Sequence, residues 1–101
     1  MSYSVISLPH VKEDLVQAVH YYHGISPALS RQFLFRLREA KSYILLSPLG
    51  FQVRYKEVRT LLLKQFPFHI HYVIDDPKKQ IVIIAVIHAY KNPQDYTQRS
   101  S

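Results

Sequence analysis

The stretch that decides the fold is Val58-Arg59-Thr60-Leu61-Leu62-Leu63-Lys64-Gln65-Phe66-Pro67-Phe68-His69-Ile70-His71-Tyr72-Val73-Ile74. In its second half Phe68, Ile70, Tyr72 and Ile74 alternate with His69, His71 and Val73, the two-residue period of a strand buried on one face. Val58 to Gln65 is another extended run. Phe66-Pro67 bends the chain between them, because proline has no N–H to give a ladder and belongs at a strand edge or start. Downstream, Asp75-Asp76-Pro77-Lys78-Lys79 is a polar turn. Ile81 to Ile87 follows it and is apolar on both faces, as a central strand is. Upstream, Phe51, Val53 and Tyr55 alternate with Gln52 and Arg54. The C-terminal half therefore reads as a three- or four-stranded antiparallel meander.

Before Gly50 the period is helical, after a short first strand over Tyr3 to Leu8. Pro9 suits the first position of a helix, where its missing N–H costs nothing. Val11, Leu15, Ala18, Val19 and Tyr22 share one face, Glu13 and Asp14 lie near the favourable start of the dipole, and Gly24 is expected to supply a left-handed stop. Ser26-Pro27 restarts a helix, in which Leu29, Phe33, Leu37, Ala40 and Ile44 form a continuous stripe up to Ser47-Pro48. Arg31, Phe35, Arg38 and Ser42 occupy its far face. The short connection makes the pair an antiparallel hairpin. The expected class is α+β, in the order β-α-α-β-β-β, with the hairpin on one face of a curved, mainly antiparallel sheet. The other face, bearing His69 and His71, is expected to be at least partly open. Residues 1–101 make one domain, of which 89–101 are a polar C-terminal tail.

Composition bounds the chemistry. With 48% hydrophobic and 20% charged residues in 101, the chain has the balance of a globular domain. It has no cysteine, so disulfides, a thiol nucleophile and thiolate metal sites are excluded. The N-terminus resembles no signal peptide and no apolar run can cross a bilayer, so a cytoplasmic address with no membrane partner is expected. Thirteen Lys and Arg against seven acidic residues give +6, an excess that attracts nucleic acid or an acidic protein segment, though it also simply aids solubility.

The second half, with Ile83-Ile84-Ala85-Val86-Ile87-His88-Ala89-Tyr90-Lys91-Asn92-Pro93 after the turn, resembles the RelE/ParE toxin superfamily of plasmid-stabilisation proteins. In that group an arginine-bearing strand precedes a Phe-Pro-aromatic strand, and the last strand ends in a His-basic-Pro segment. Asp14-Leu15, Tyr21-Tyr22 and a second helix closing at Ser47-Pro48 agree. The resemblance covers nearly the whole chain and its ending is nearer the ParE-like branch. It implies a toxin neutralised by a cognate antitoxin in a hetero-oligomer, with no cofactor. Some members bind DNA gyrase, others cleave mRNA on the ribosome, and an inactive member acting only in antitoxin binding and operon autoregulation is a third possibility.

RNA cleavage through the 2′-OH needs a base, an acid and cations for the phosphorane charge. His88, His69 and Arg59 are the candidates if the chain is a nuclease. His69 stands where nuclease members place an arginine, so the set is incomplete. Arg54, Lys64, His71, Tyr90, Lys91 and Arg99 are candidates for holding the target or RNA, and Arg31, Phe35 and Arg38 for holding the antitoxin. Plainer readings stand beside these. His69 and His71 are also what a solvated strand face carries, Arg59 and Lys64 what an edge strand carries against aggregation, and His88 also fits a structural role. Tyr21, Tyr22 and Tyr43 read as packing residues. No convincing set of metal ligands is present, so no metal is expected.

Overall fold

A computed structural model describes residues 3–89. Strand β1 (Ser4–Ser7) leads into helices α1 (Pro9–Ile25) and α2 (Pro27–Leu46), then a 3-10 turn at Pro48–Gly50. Strands β2 (Val53–Tyr55), β3 (Val58–Leu62), β4 (Phe68–Asp75) and β5 (Gln80–His88) complete the chain's described part. They form one five-stranded sheet in the order β1-β5-β4-β3-β2. β1 runs parallel to β5 and every other pair is antiparallel. The meander has four strands, and β5 lies inside the sheet as its two-sided apolar run predicts.

The helix boundaries follow from proline. Pro9 and Pro27 each stand in the first turn of their helix. Gly24 does not take the left-handed conformation expected of it: no glycine among the described residues has a positive φ, and α1 runs on to Ile25. What stops α1 is Pro27, whose ring excludes helical backbone at the residue before it. Ser26 is accordingly extended, at φ −164° and ψ 130°. It closes one helix and opens the next: its N–H donates to the Tyr22 carbonyl at 2.9 Å, and its own carbonyl accepts from the N–H of Leu29 at 3.0 Å. Its hydroxyl makes no cap, and Glu13 and Asp14 fall beyond the first turn of α1.

The hairpin's apolar stripes close on one face of the sheet. Val11, Ala18, Tyr22, Phe33, Leu37, Ala40 and Ile44 meet Ile70, Tyr72, Ile81, Ile83 and Val86 in the main core. Phe66 is drawn in from the β3–β4 loop, its ring perpendicular to Phe33 at 5.3 Å and edge-on to Tyr22 at 4.9 Å. Two cross-strand neighbours, Arg59 and Tyr72, hold the turn after α2 against this layer. The Arg59 guanidinium donates to the carbonyls of Leu49 at 3.2 Å and Phe51 at 2.6 Å, and the Tyr72 hydroxyl donates to that of Pro48 at 2.6 Å.

The opposite face differs from expectation. Val58, Ile84, Ala85 and Ile87 are buried there, with Leu8, Tyr55, Val73 and Val82 packed on them. It is a second, smaller apolar cluster rather than an open cationic surface, because β5 is apolar on both sides and Leu8, Tyr55, Val58 and Val73 pack with its outer side chains. The ladder is also irregular here: His71 pairs with Ala85 and Tyr72 with Ile83, so Ile84 is a bulge residue. The imidazole Nε2 of His10, in the first turn of α1, meets the carbonyl of this bulge residue, Ile84.

Candidate functional site

Polar groups on the second face gather around β4. His69 and His71 are two residues apart, so their side chains share that face, with ring centroids 6.1 Å apart. Thr60 and Leu62 of β3 stand opposite them, and Ala85 and Ile87 of β5 on the other side. The Tyr55 hydroxyl of β2 lies 3.1 Å from Nδ1 of His71, a hydrogen bond whose donor depends on the imidazole tautomer. His71 is 3% exposed, and its burial, helped by the neighbouring His69, brings its pKa down to about 4. His69 is also lowered, first by burial and then by the charge of Arg54. His71 is therefore neutral at pH 7. Such an imidazole can accept a proton or a hydrogen bond but supplies no positive charge. Arg54, exposed on the β2 edge, is the cation of this cluster.

The three residues singled out for cleavage are not brought together. His88 ends β5 on the helix side, where it pairs with Phe68 and its ring packs edge-on against that ring at 5.4 Å. Arg59 is also on the helix side, but two strands across and four residues along, roughly 16 Å away by strand geometry. Its guanidinium is engaged by two backbone carbonyls. His69 faces the other way.

The remaining candidates are dispersed. Lys64 is exposed and donates to the Tyr43 hydroxyl at 3.2 Å, with its ammonium 5.3 Å from that ring's centroid. Arg31 and Arg38 are exposed on α2, with Phe35 between them 50% exposed under the Arg36 guanidinium. Tyr90, Lys91 and Arg99 lie outside the described residues, as does the tail from residue 90 on. Of the three tyrosines read as packing residues, Tyr22 is buried in the core, whereas Tyr21 and Tyr43 are exposed. Sequence reasoning missed Tyr55 as the partner of His71, because that contact depends on the irregular β2–β3 register between Val53 and Tyr55. Among the described residues no group of three or more His, Asp or Glu could hold a metal ion, and no helix is long and apolar enough to cross a membrane.

No family model and no curated protein matches the chain in sequence. Solved structures do match in shape. One, of the chromosomal ParDE TA system from P. aeruginosa, is 21% identical, covers 85% of this chain and 95% of its own, and superposes with a TM-score of 0.71. Another, of the toxin-antitoxin complex RelBE2 from Mycobacterium tuberculosis, is 20% identical over 87% of this chain and 99% of its own, with a TM-score of 0.56. The isolated E. coli RelE toxin is 14% identical over 98% and 99%, with a TM-score of 0.59.

Proposed function

From the RelE/ParE toxin superfamily fold that this chain has, we propose that it is the toxin of a type II toxin–antitoxin pair, acting in the cytoplasm by binding a macromolecular target such as DNA gyrase. The observation that carries the reading is the extent of the likeness: a helix hairpin on a five-stranded sheet shared over most of this chain and nearly all of a ParDE chain. The cognate antitoxin neutralises it, and Arg31, Phe35 and Arg38 on the exposed face of α2 contribute to that contact. Arg54 and Lys64, with Lys91 and Arg99 of the tail, contribute charge toward the target, and Tyr90 contributes a ring for stacking or a hydroxyl donor.

The dispersal of Arg59, His69 and His88 supports binding over cleavage. Transfer of the 2′-OH proton and protonation of the leaving oxygen need groups within hydrogen-bond reach of one phosphate, and a separation of roughly 16 Å does not offer that for Arg59 and His88. One observation favours the nuclease reading instead: neutral His71 and His69 stand beside Arg54 and Tyr55, a base and a cation on one face. Induced expression in E. coli separates the two. Relaxed plasmid DNA with intact mRNA supports gyrase binding; discrete new mRNA 5′ ends, lost in His69→Ala or His88→Ala, would replace it with metal-independent cleavage on the ribosome.

A further inference from the structure

Among the described residues, Lys56, Gln65 and Lys79 take positive φ without being glycine. Each lies in a connection between two antiparallel strands. Gln65, at φ 76° in the β3–β4 loop of residues 63–67, differs in where its side chain goes. Its Oε1 accepts from Nε2 of Gln32 at 3.2 Å and from Nε of Arg36 at 3.0 Å, both on α2. Arg36 is itself fixed by Glu39, with Nη1 3.2 Å from the carboxylate. One turn on, Tyr43 meets the ammonium of Lys64, the neighbour of Gln65, at 3.2 Å. Positions 32, 36, 39 and 43 step by four, three and four, so a single polar stripe of α2 runs along the loop. After Gln65 the chain turns to the other side of the molecule. Phe66 is buried in the core, and the Pro67 carbonyl accepts from the N–H of Ala89 at 2.7 Å. The loop therefore joins α2 to the end of β5.

We propose that residues 63–67 form a strained strap that couples the polar stripe of α2 to the place where the chain leaves β5. Gln32 and Arg36 hold Gln65 in a conformation it otherwise leaves, and their release loosens the junction between Pro67 and Ala89. The left-handed backbone is a two-state element. It disfavours a residue with a side chain by a factor of roughly 5–30, and strain of this kind persists only where its surroundings hold it. Two exposed hydrogen bonds return about as much as the strain costs. The strap is thus near balance, and a change at either donor tips it. Arg36 also reaches the exposed surface of α2, where its guanidinium lies 5.5 Å from the centroid of the Phe35 ring. The use of the strap rests on the toxin reading: contact at Phe35 alters Lys64 and the root of the tail without covering them. The coupling itself does not rest on that reading.

The test is amide hydrogen exchange followed by NMR on the whole chain, with no partner present. The reporters are the N–H of Leu63, bonded to the Phe68 carbonyl at 2.8 Å, and the N–H of Ala89. Amides of β5 between Ile81 and Val86 serve as the reference for the rest of the sheet. Gln32→Ala combined with Arg36→Met should speed exchange at Leu63 and Ala89 by roughly 5–30-fold and leave the reference amides unchanged. Gln65→Gly removes the acceptor and the strain together. In that background the same pair of substitutions should alter exchange at Ala89 by less than about twofold, because nothing is left for them to release. Unchanged exchange at Ala89 in the first experiment would overturn the proposal, since Phe66 and the ladder would then hold the loop unaided. So would an acceleration that persists with Gln65→Gly, or one spread evenly over β5, which is global loosening. Growth is not measured, so failure here leaves the toxin reading standing, and failure of growth arrest leaves the strap standing.

Discussion

His71 ties stability to pH in a direction and window that can be worked from its surroundings. In the folded chain it is buried between Thr60 and Ala85, against Tyr55 and His69, with Arg54 acting on that neighbour, and its pKa is about 4 instead of 6.5. Between those values the unfolded chain binds a proton that the folded chain refuses. Stability is therefore fully present above pH 6.5 and is lost as pH falls toward 4. At about 1.4 kcal/mol per pH unit, moving from pH 7.5 to 5.0 removes about 2 kcal/mol before screening. Solvent around the strand face reduces this to about 1 kcal/mol. His69, lowered in the same direction, adds to the loss. Urea denaturation followed by circular dichroism at the two pH values reads this as a drop in midpoint of about 0.5–1 M for the roughly 1–2 kcal/mol/M slope of a domain this size. His71→Gln keeps a hydrogen-bonding group near Tyr55 but cannot titrate. It should lower stability at pH 7.5 and make the free energy of unfolding less dependent on pH by about the same 1 kcal/mol. An equal pH dependence in both proteins would refute the assignment of the effect to His71.

Other consequences concern the elements that hold the fold. Tyr72→Phe removes the donor to the Pro48 carbonyl and should cost about 1 kcal/mol in urea denaturation. Phe33→Ala empties the centre of the aromatic cluster and should cost about 3–5 kcal/mol, enough to leave much of the protein unfolded in a thermal melt at 37 °C. Lys56 sits at φ 48° in the β2–β3 turn, so Lys56→Asn should raise stability in urea denaturation by about 0.5 kcal/mol, because asparagine tolerates this left-handed backbone better.

Much of this fold was legible because its elements announce themselves locally. The alternation from Phe68 to Ile74 and the unbroken apolar run Ile81 to Ile87 are direct prints of one-sided and two-sided burial. The proline-bounded helices are equally local. What sequence could not supply depends on register. Arg59 reads as an edge-strand charge until its pairing with Tyr72 puts it on the helix side, facing two free carbonyls. The Ile84 bulge, and with it the position of His10, is invisible in a run where every residue is apolar. The second face seemed polar because His69 and His71 mark it, yet a histidine can be buried neutral beside a tyrosine, as His71 is.

The central claim is that this chain, produced alone, arrests its host, and viable counts after induction test it most directly. Colonies should fall within a few generations in cells expressing the intact chain, and should not fall in cells expressing the unfolded Phe33→Ala variant. Undiminished counts with the folded protein accumulating in the cell would contradict it.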